Sequence, residues 1–278
     1  MRVREPQVNA TIVNATIVNA TIMKIAGVDL ELFEAGQGRA QGRALVYLHS
    51  GQGYDPWQSF AAQLAKERRL IAPSHPGFGR SSLPDWLDSI DDVAHLYLEL
   101  LDRLDLHEVD IVGCSVGGWI AADMASKVPQ RFRRLVLIGA AGVKVGSADK
   151  LDIPDVFAMP QEEVSKLLYH DPAGMMPDLA KLTEDEIAIY FRNRESLALL
   201  VWEPWMHNPK LKRRLHRVAA PTLFVRGASD GLISAEYLEA YARLLPNAQT
   251  LTLPACGHLP HLEQPQALAS AINKFLEA

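Results

Sequence analysis

A chain of 278 residues in which 48% of side chains are hydrophobic can bury one large core or two small ones, which excludes disorder as its main state. Its formal net charge of -5 offers no broad basic footprint to a phosphate backbone, which argues against nucleic acid and for a small-molecule substrate. Cys114 and Cys256 fall in no Cys/Cys or Cys/His pattern with metal-ligand spacing, so neither a disulfide framework nor a metal site is indicated.

Arg2 and Arg4 open the chain, but Asn and Thr interrupt the Ile and Val residues that follow, leaving no continuous apolar stretch for a signal peptide or a membrane span. The expectation is a cytoplasmic protein with no membrane partner. Between Asn9 and Ile22 the pentad Asn-Ala-Thr-Ile-Val recurs, and a period of five fits neither a strand nor a helix, so an edge strand or a loose arm is expected. The repeat also creates sequons at Asn9, Asn14 and Asn19, which accept glycans only in a secretory compartment.

From residue 21 onward strand and helix signals alternate. Residues 21–26 and 28–33 form a strand pair about Gly27, and residues 44–48 are a short apolar run suited to a sheet centre. Residues 57–66 read as a helix and 70–73 as a strand. Residues 91–104 carry Val93, Leu96, Tyr97, Leu100, Leu101 and Leu104 on one helical face, with Ser89 placed to cap it. Further β-type runs lie at 109–112, 135–138, 222–225 and 250–253, a pattern that predicts a mainly parallel sheet flanked by helices. Between residues 144 and 217 the strand signals stop and the pattern is helical with prolines, as expected of an insertion over the sheet.

Gly113-Cys114-Ser115-Val116-Gly117 matches G-x-S-x-G with an apolar strand before it and a small-residue helix after it, the context of a strained nucleophile turn. A serine there needs a base within hydrogen-bond reach, itself held by a carboxylate. Asp230 follows the run at 222–225 and His258 follows the run at 250–253, both just beyond strand ends, where open parallel sheets place their sites. His261 competes with His258 but sits in the following turn, where a pocket-lining or structural role suits it. Glu236 and Asp123 compete with Asp230, and His49 and His75 flank tight turns as structural residues.

The order Ser115, Asp230, His258, together with Leu48-His49-Ser50-Gly51-Gln52-Gly53, the segment from Pro73 to Ser82, and the segment from Gly257 to Pro265, resembles the α/β-hydrolase superfamily from residue 23 to the end. Two positions depart from that pattern: Ser50 stands where Gly is usual after the His, and Ser74 where Asp is usual before the Pro-Gly turn. The resemblance implies an oxyanion hole from the amides of Gly51 and Val116. It also implies a core from residues 23–143 and 218–278, a helical cap at 144–217 and an N-terminal extension at 1–22. Trp202, Trp205 and Met206 are expected to line the pocket under the cap, where Met159, Met175, Met176, Phe157, Tyr169 and Tyr190 also crowd. Packing within the cap is the competing role for each.

The expected activity is hydrolysis of a carboxylic ester of a small, apolar substrate, with no metal and no organic cofactor. Carbon–carbon cleavage of a ring-fission product uses the same three residues, and a cationic clamp would favour it; Arg192, Arg194 and Lys166 are its candidates. A non-catalytic small-molecule receptor on the same fold is the third reading, and self-association is left open.

Overall fold

The computed structural model describes residues 9–13, 16–36, 44–53, 59–173, 175 and 177–278, with side chains from residue 20 onward. Trp57, Met176 and the sequon residue Asn14 lie outside the described residues. Among the described residues nine strands make one sheet in the order β1-β2-β3-β5-β4-β6-β7-β8-β9. They are β1 (Asn9–Val13), β2 (Thr16–Ile25), β3 (Val28–Ala35), β4 (Ala44–Leu48), β5 (Arg69–Pro73), β6 (Val109–Cys114), β7 (Phe132–Ile138), β8 (Thr222–Gly227) and β9 (Ala248–Leu253). From β5 to β9 every pairing is parallel, whereas β1, β2 and β3 pair antiparallel at one edge.

The pentad repeat is the source of that edge. Its first copy is β1, and its later copies run into β2, which pairs with β3 from Val18↔Ala35 to Ile25↔Val28. The sheet therefore begins inside the repeat, and the boundary expected after residue 22 cuts through a strand. Residues with β-branched side chains take extended backbone readily, and pairing with β3 supplies what the period of five does not.

Helices α1 (Ser59–Ala65), α2 (Ile90–Arg103), α3 (Val116–Lys127), α6 (Ala235–Ala242) and α8 (Pro265–Glu277) cover the two faces of the sheet. Every residue of β4, β6 and β8 is buried, as strands covered on both sides must be. Alternate residues feed different cores: Val46, Leu48 and Leu137 pack in the core that includes α2 and α3, whereas Leu45, Tyr47 and Val136 join α1 and α8. α2 starts where the sequence places its cap, with the Ser89 hydroxyl accepting from the Asp92 amide at 3.2 Å.

The crossover from β7 to β8 carries α4 (Gln161–Leu168) and α5 (Glu184–Val201), with a short 3-10 turn at Leu179–Lys181 between them and two more, Leu211–Arg213 and Leu215–Arg217, after α5. The Thr183 side chain and Glu186 cap the start of α5 reciprocally. On its core side, Asn193 donates to the Gln52 carbonyl at 3.2 Å and accepts from the Gly79 amide at 3.0 Å. Ser196 donates to the Gly77 carbonyl at 2.9 Å, so α5 is fastened to the turns that follow β4 and β5. Among the described residues no helix is long and apolar enough to cross a membrane.

Candidate active site

Ser115 sits at the sharp turn between β6 and α3 with φ 55 and ψ -115, a backbone conformation that costs a non-glycine residue free energy. The turn is held by the Ser115 amide, which donates to the Ile138 carbonyl at 2.7 Å. Close approach explains its glycines: a Cβ on Gly113 would lie 2.3 Å from the Gly117 carbonyl oxygen, and one on Gly117 would lie 2.3 Å from that of Leu48. The strand end carrying His49 therefore passes directly against the Ser115 turn.

His258 Nε2 lies 3.0 Å from Ser115 Oγ, and His258 Nδ1 lies 2.9 Å from Asp230 Oδ2. The other carboxylate oxygen, Asp230 Oδ1, accepts from the amides of Leu232 at 2.9 Å and Ile233 at 2.8 Å. A carboxylate so placed fixes the proton on Nδ1, leaving the Nε2 lone pair for the serine hydroxyl. Asp230 and His258 are both buried. The competitors lie elsewhere: Glu236 is exposed on α6, and Asp123 pairs with Lys127 inside the protein.

The imidazole is steadied from the end of α4 as well. The His258 amide donates to the Leu168 carbonyl at 2.7 Å, and Glu263 accepts from the amides of Gly257 at 2.6 Å and His170 at 2.8 Å. Sequence reasoning found Glu263 only as part of a motif and gave it no task. It missed Gly139, which has φ 51; a Cβ there would fall 2.9 Å from His258 Cε1 and 3.4 Å from Asp230 Oδ2. Gly139→Ala is expected to displace the imidazole and lower turnover about 10–100-fold while far-ultraviolet circular dichroism stays unchanged. Wild-type turnover in this variant would remove Gly139 from the site.

The turn with Gly51 rests on a buried chain of three side chains. His75 Nε2 donates to the His49 carbonyl at 2.9 Å, and the His75 amide donates to His49 Nε2 at 2.9 Å. His49 Nδ1 then donates to the Ser50 carbonyl at 2.7 Å, while the Tyr97 hydroxyl donates to His75 Nδ1 at 2.7 Å. The two imidazoles stack with centroids 3.7 Å apart. Burial pushes His75 down to about 4, and burial together with the neighbouring His75 holds His49 well below the ordinary imidazole range. Both are therefore neutral hydrogen-bonding parts of the turn, as expected of structural residues. His261 is likewise buried, 3.5 Å from Cys114 Sγ, and burial followed by the nearby His258 pushes it down to about 3.

A cavity of about 250 Å³ opens above Ser115, with Gly51 and His258 in its lining. Val156, Phe157, Leu168, Leu197, Met206 and Leu232 are among the apolar residues of its wall. Its polar lining includes Gln52, Tyr169, Tyr190, Asn193 and Arg194, with Gln52 donating to the Tyr169 hydroxyl at 2.9 Å. Of the three residues expected to line it, only Met206 does. Trp202 is 57% exposed on the outer surface, and Trp205 turns away, its indole donating to the Ile153 carbonyl at 2.9 Å. Aromatic identity alone does not say which side of a cap faces inward. Phe157, Tyr169, Met175 and Tyr190 do line the cavity, whereas Met159 does not.

The family model described as "Alpha/beta hydrolase family" matches residues 45–271. The chain belongs to that family. This α/β hydrolase is 30% identical over 263 residues to 2-hydroxymuconate semialdehyde hydrolase of Pseudomonas sp. strain CF600, covering 90% of this chain and 91% of the relative. It is also 30% identical over 267 residues to 2-hydroxy-6-oxo-2,4-heptadienoate hydrolase of Pseudomonas putida, covering 91% and 94%. Among solved structures, a meta-cleavage product hydrolase from Pseudomonas fluorescens matches with a TM-score of 0.72 at 23% identity, covering 92% of this chain and 98% of that one. A thermophilic esterase matches at 0.70 and 21%, covering 94% and 98%. These structures share the fold of this α/β hydrolase, a mostly parallel sheet flanked by helices.

Proposed function

We propose that this hydrolase cleaves a carboxylic ester of a small, apolar substrate through an acyl-enzyme on Ser115. The observation that carries the reading is the continuous hydrogen-bonded line from Asp230 through His258 to Ser115 Oγ at the floor of a mostly apolar cavity. In this reading His258 takes the serine proton as Oγ adds to the carbonyl carbon. The amides of Gly51 and Val116 receive the negative charge that develops on the carbonyl oxygen. His258 then returns the proton to the leaving alcohol, and a water activated by the same imidazole releases the acid. Each step balances with protein groups and water alone. The insertion over residues 144–217 acts as the cap that shapes the substrate pocket.

A second reading, carbon–carbon cleavage of a vinylogous carbonyl compound bearing a carboxylate, draws support from Arg194 and from the names of the two Pseudomonas relatives. Of the three cations considered as clamps, Arg192 is engaged with the carbonyls of Gly77 and Ser81, and Lys166 is paired with Glu162. Arg194 lines the cavity with its guanidinium 5.4 Å over the Phe157 ring, and no carboxylate among the described residues forms an ion pair with it.

The two readings separate in one assay. On p-nitrophenyl butyrate, Arg194→Gln is expected to retain wild-type kcat/KM, whereas on a 2-hydroxy-6-oxo-dienoate it loses about 10–100-fold, the worth of one charge-assisted contact. Turnover of the dienoate with none of the ester would replace the ester reading by the second.

A further inference from the structure

The cavity over Ser115 has a neighbour. A second cavity of about 130 Å³ lies beside it, its apolar lining made by Val143, Ala148, Leu151, Ile153 and Trp205, with Lys144, Lys150, Asp152 and His207 completing it. Lys144 and Asp152 already pair with each other at 3.0 Å. Met206 is the residue that lines both cavities. Beside it, Phe157 of the first cavity meets Trp205 of the second edge to face, with centroids 5.9 Å apart and planes at 82°.

The backbone of Met206 is fixed. Its amide donates to the Val201 carbonyl at 2.9 Å, and its carbonyl accepts from the Gly142 amide at 3.1 Å. It has φ 54, and of the six non-glycine residues with positive φ among those described, the two that line the Ser115 cavity are Ser115 itself and Met206. Strain of this kind persists only where surrounding structure holds it, and here it fixes where a flexible thioether departs from the wall.

We propose that Met206 is the partition that sets how long an unbranched alkyl chain the site accepts, and that the second cavity is the extension that opens when the partition is removed. The proposal rests on the acyl-transfer reading for its meaning in catalysis, but not for its measurement. Hexanoate and decanoate are titrated calorimetrically into Ser115→Ala protein carrying Met206, Met206→Ala or Met206→Leu, so that binding is read without turnover.

Each methylene admitted to an apolar enclosure strengthens binding about fourfold. Met206→Ala is expected to raise the decanoate-to-hexanoate affinity ratio at least about tenfold, and Met206→Leu to leave it within about twofold. Adding Ala148→Trp, which fills the second cavity, is expected to cancel the gain. Met206→Gly, suited to the positive φ, makes the same test should the alanine variant not fold. An unchanged ratio in the opened variants, an equal rise in Met206→Leu, or binding of neither acid to them would overturn the proposal. Failure of the Ser115 protein to turn over p-nitrophenyl hexanoate would instead sink the acyl-transfer reading, leaving the binding ratio as it stands.

Discussion

Ser115→Ala is expected to lower kcat on p-nitrophenyl butyrate by at least about 10³-fold, roughly 4 kcal/mol or more of transition-state stabilisation. The variant removes the atom that lies 3.0 Å from His258 Nε2 and leaves the Asp230 carboxylate bound to two amides and to the imidazole. No large apolar surface is uncovered, so the thermal midpoint should move by only a few degrees. Residual activity equal to wild type would show that some other group attacks the ester. A fluorophosphonate probe gives the companion result: it should label the wild type and not Ser115→Ala.

Acid should destabilise this protein through its buried histidines. His75 titrates at about 4 and His261 at about 3, both lowered first by burial, while the same side chains in the unfolded chain titrate near the ordinary value of about 6.5. Above about pH 6.5 both states are neutral and neither histidine makes stability depend on pH. As pH falls below that value the unfolded chain takes up protons that the folded protein refuses, so stability is lost progressively down to about pH 4 for His75 and pH 3 for His261. At pH 5 each costs about 2 kcal/mol, a large share of the 5–15 kcal/mol that holds a typical domain. Urea unfolding at pH 7 and pH 5 reads the loss directly. His75→Gln, which keeps a donor and an acceptor near Tyr97 and the His49 carbonyl, should remove about 2 kcal/mol of that pH dependence. The same slope in the variant and the wild type would mean that His75 is already charged in the folded protein.

The meeting of Ser115, Asp230 and His258 was more legible in the sequence than the lining of the cavity above them. Ser115, Asp230 and His258 were legible because each follows a short apolar strand, and parallel strands bring their carboxyl ends to one edge however far apart they lie in the chain. Ser89 was legible as a cap because its partner, the Asp92 amide, is local. The miss at Trp202 and Trp205 has the opposite cause. The crossover from β7 to β8 combines irregular chain with α5, on which Phe191 and Leu199, and Trp202 at its end, are all exposed, so apolar identity there does not mark the inward side. Gly139 escaped notice because its neighbour is a side chain more than a hundred positions away. The pentad repeat left an edge strand and a loose arm as alternatives because its period says nothing of the partner that β3 provides.

The bonds that hold α5 to the core end mostly on main-chain atoms: the carbonyls of Gln52, Gly77 and Ser81, and the amide of Gly79. Such partners survive most changes of side chain in those turns. On the α5 side the bonds need only the side chains of Arg192, Asn193 and Ser196. α5 is thus seated by peptide groups, which every residue carries, and its seat is set by the path of the turns rather than by their side-chain identity.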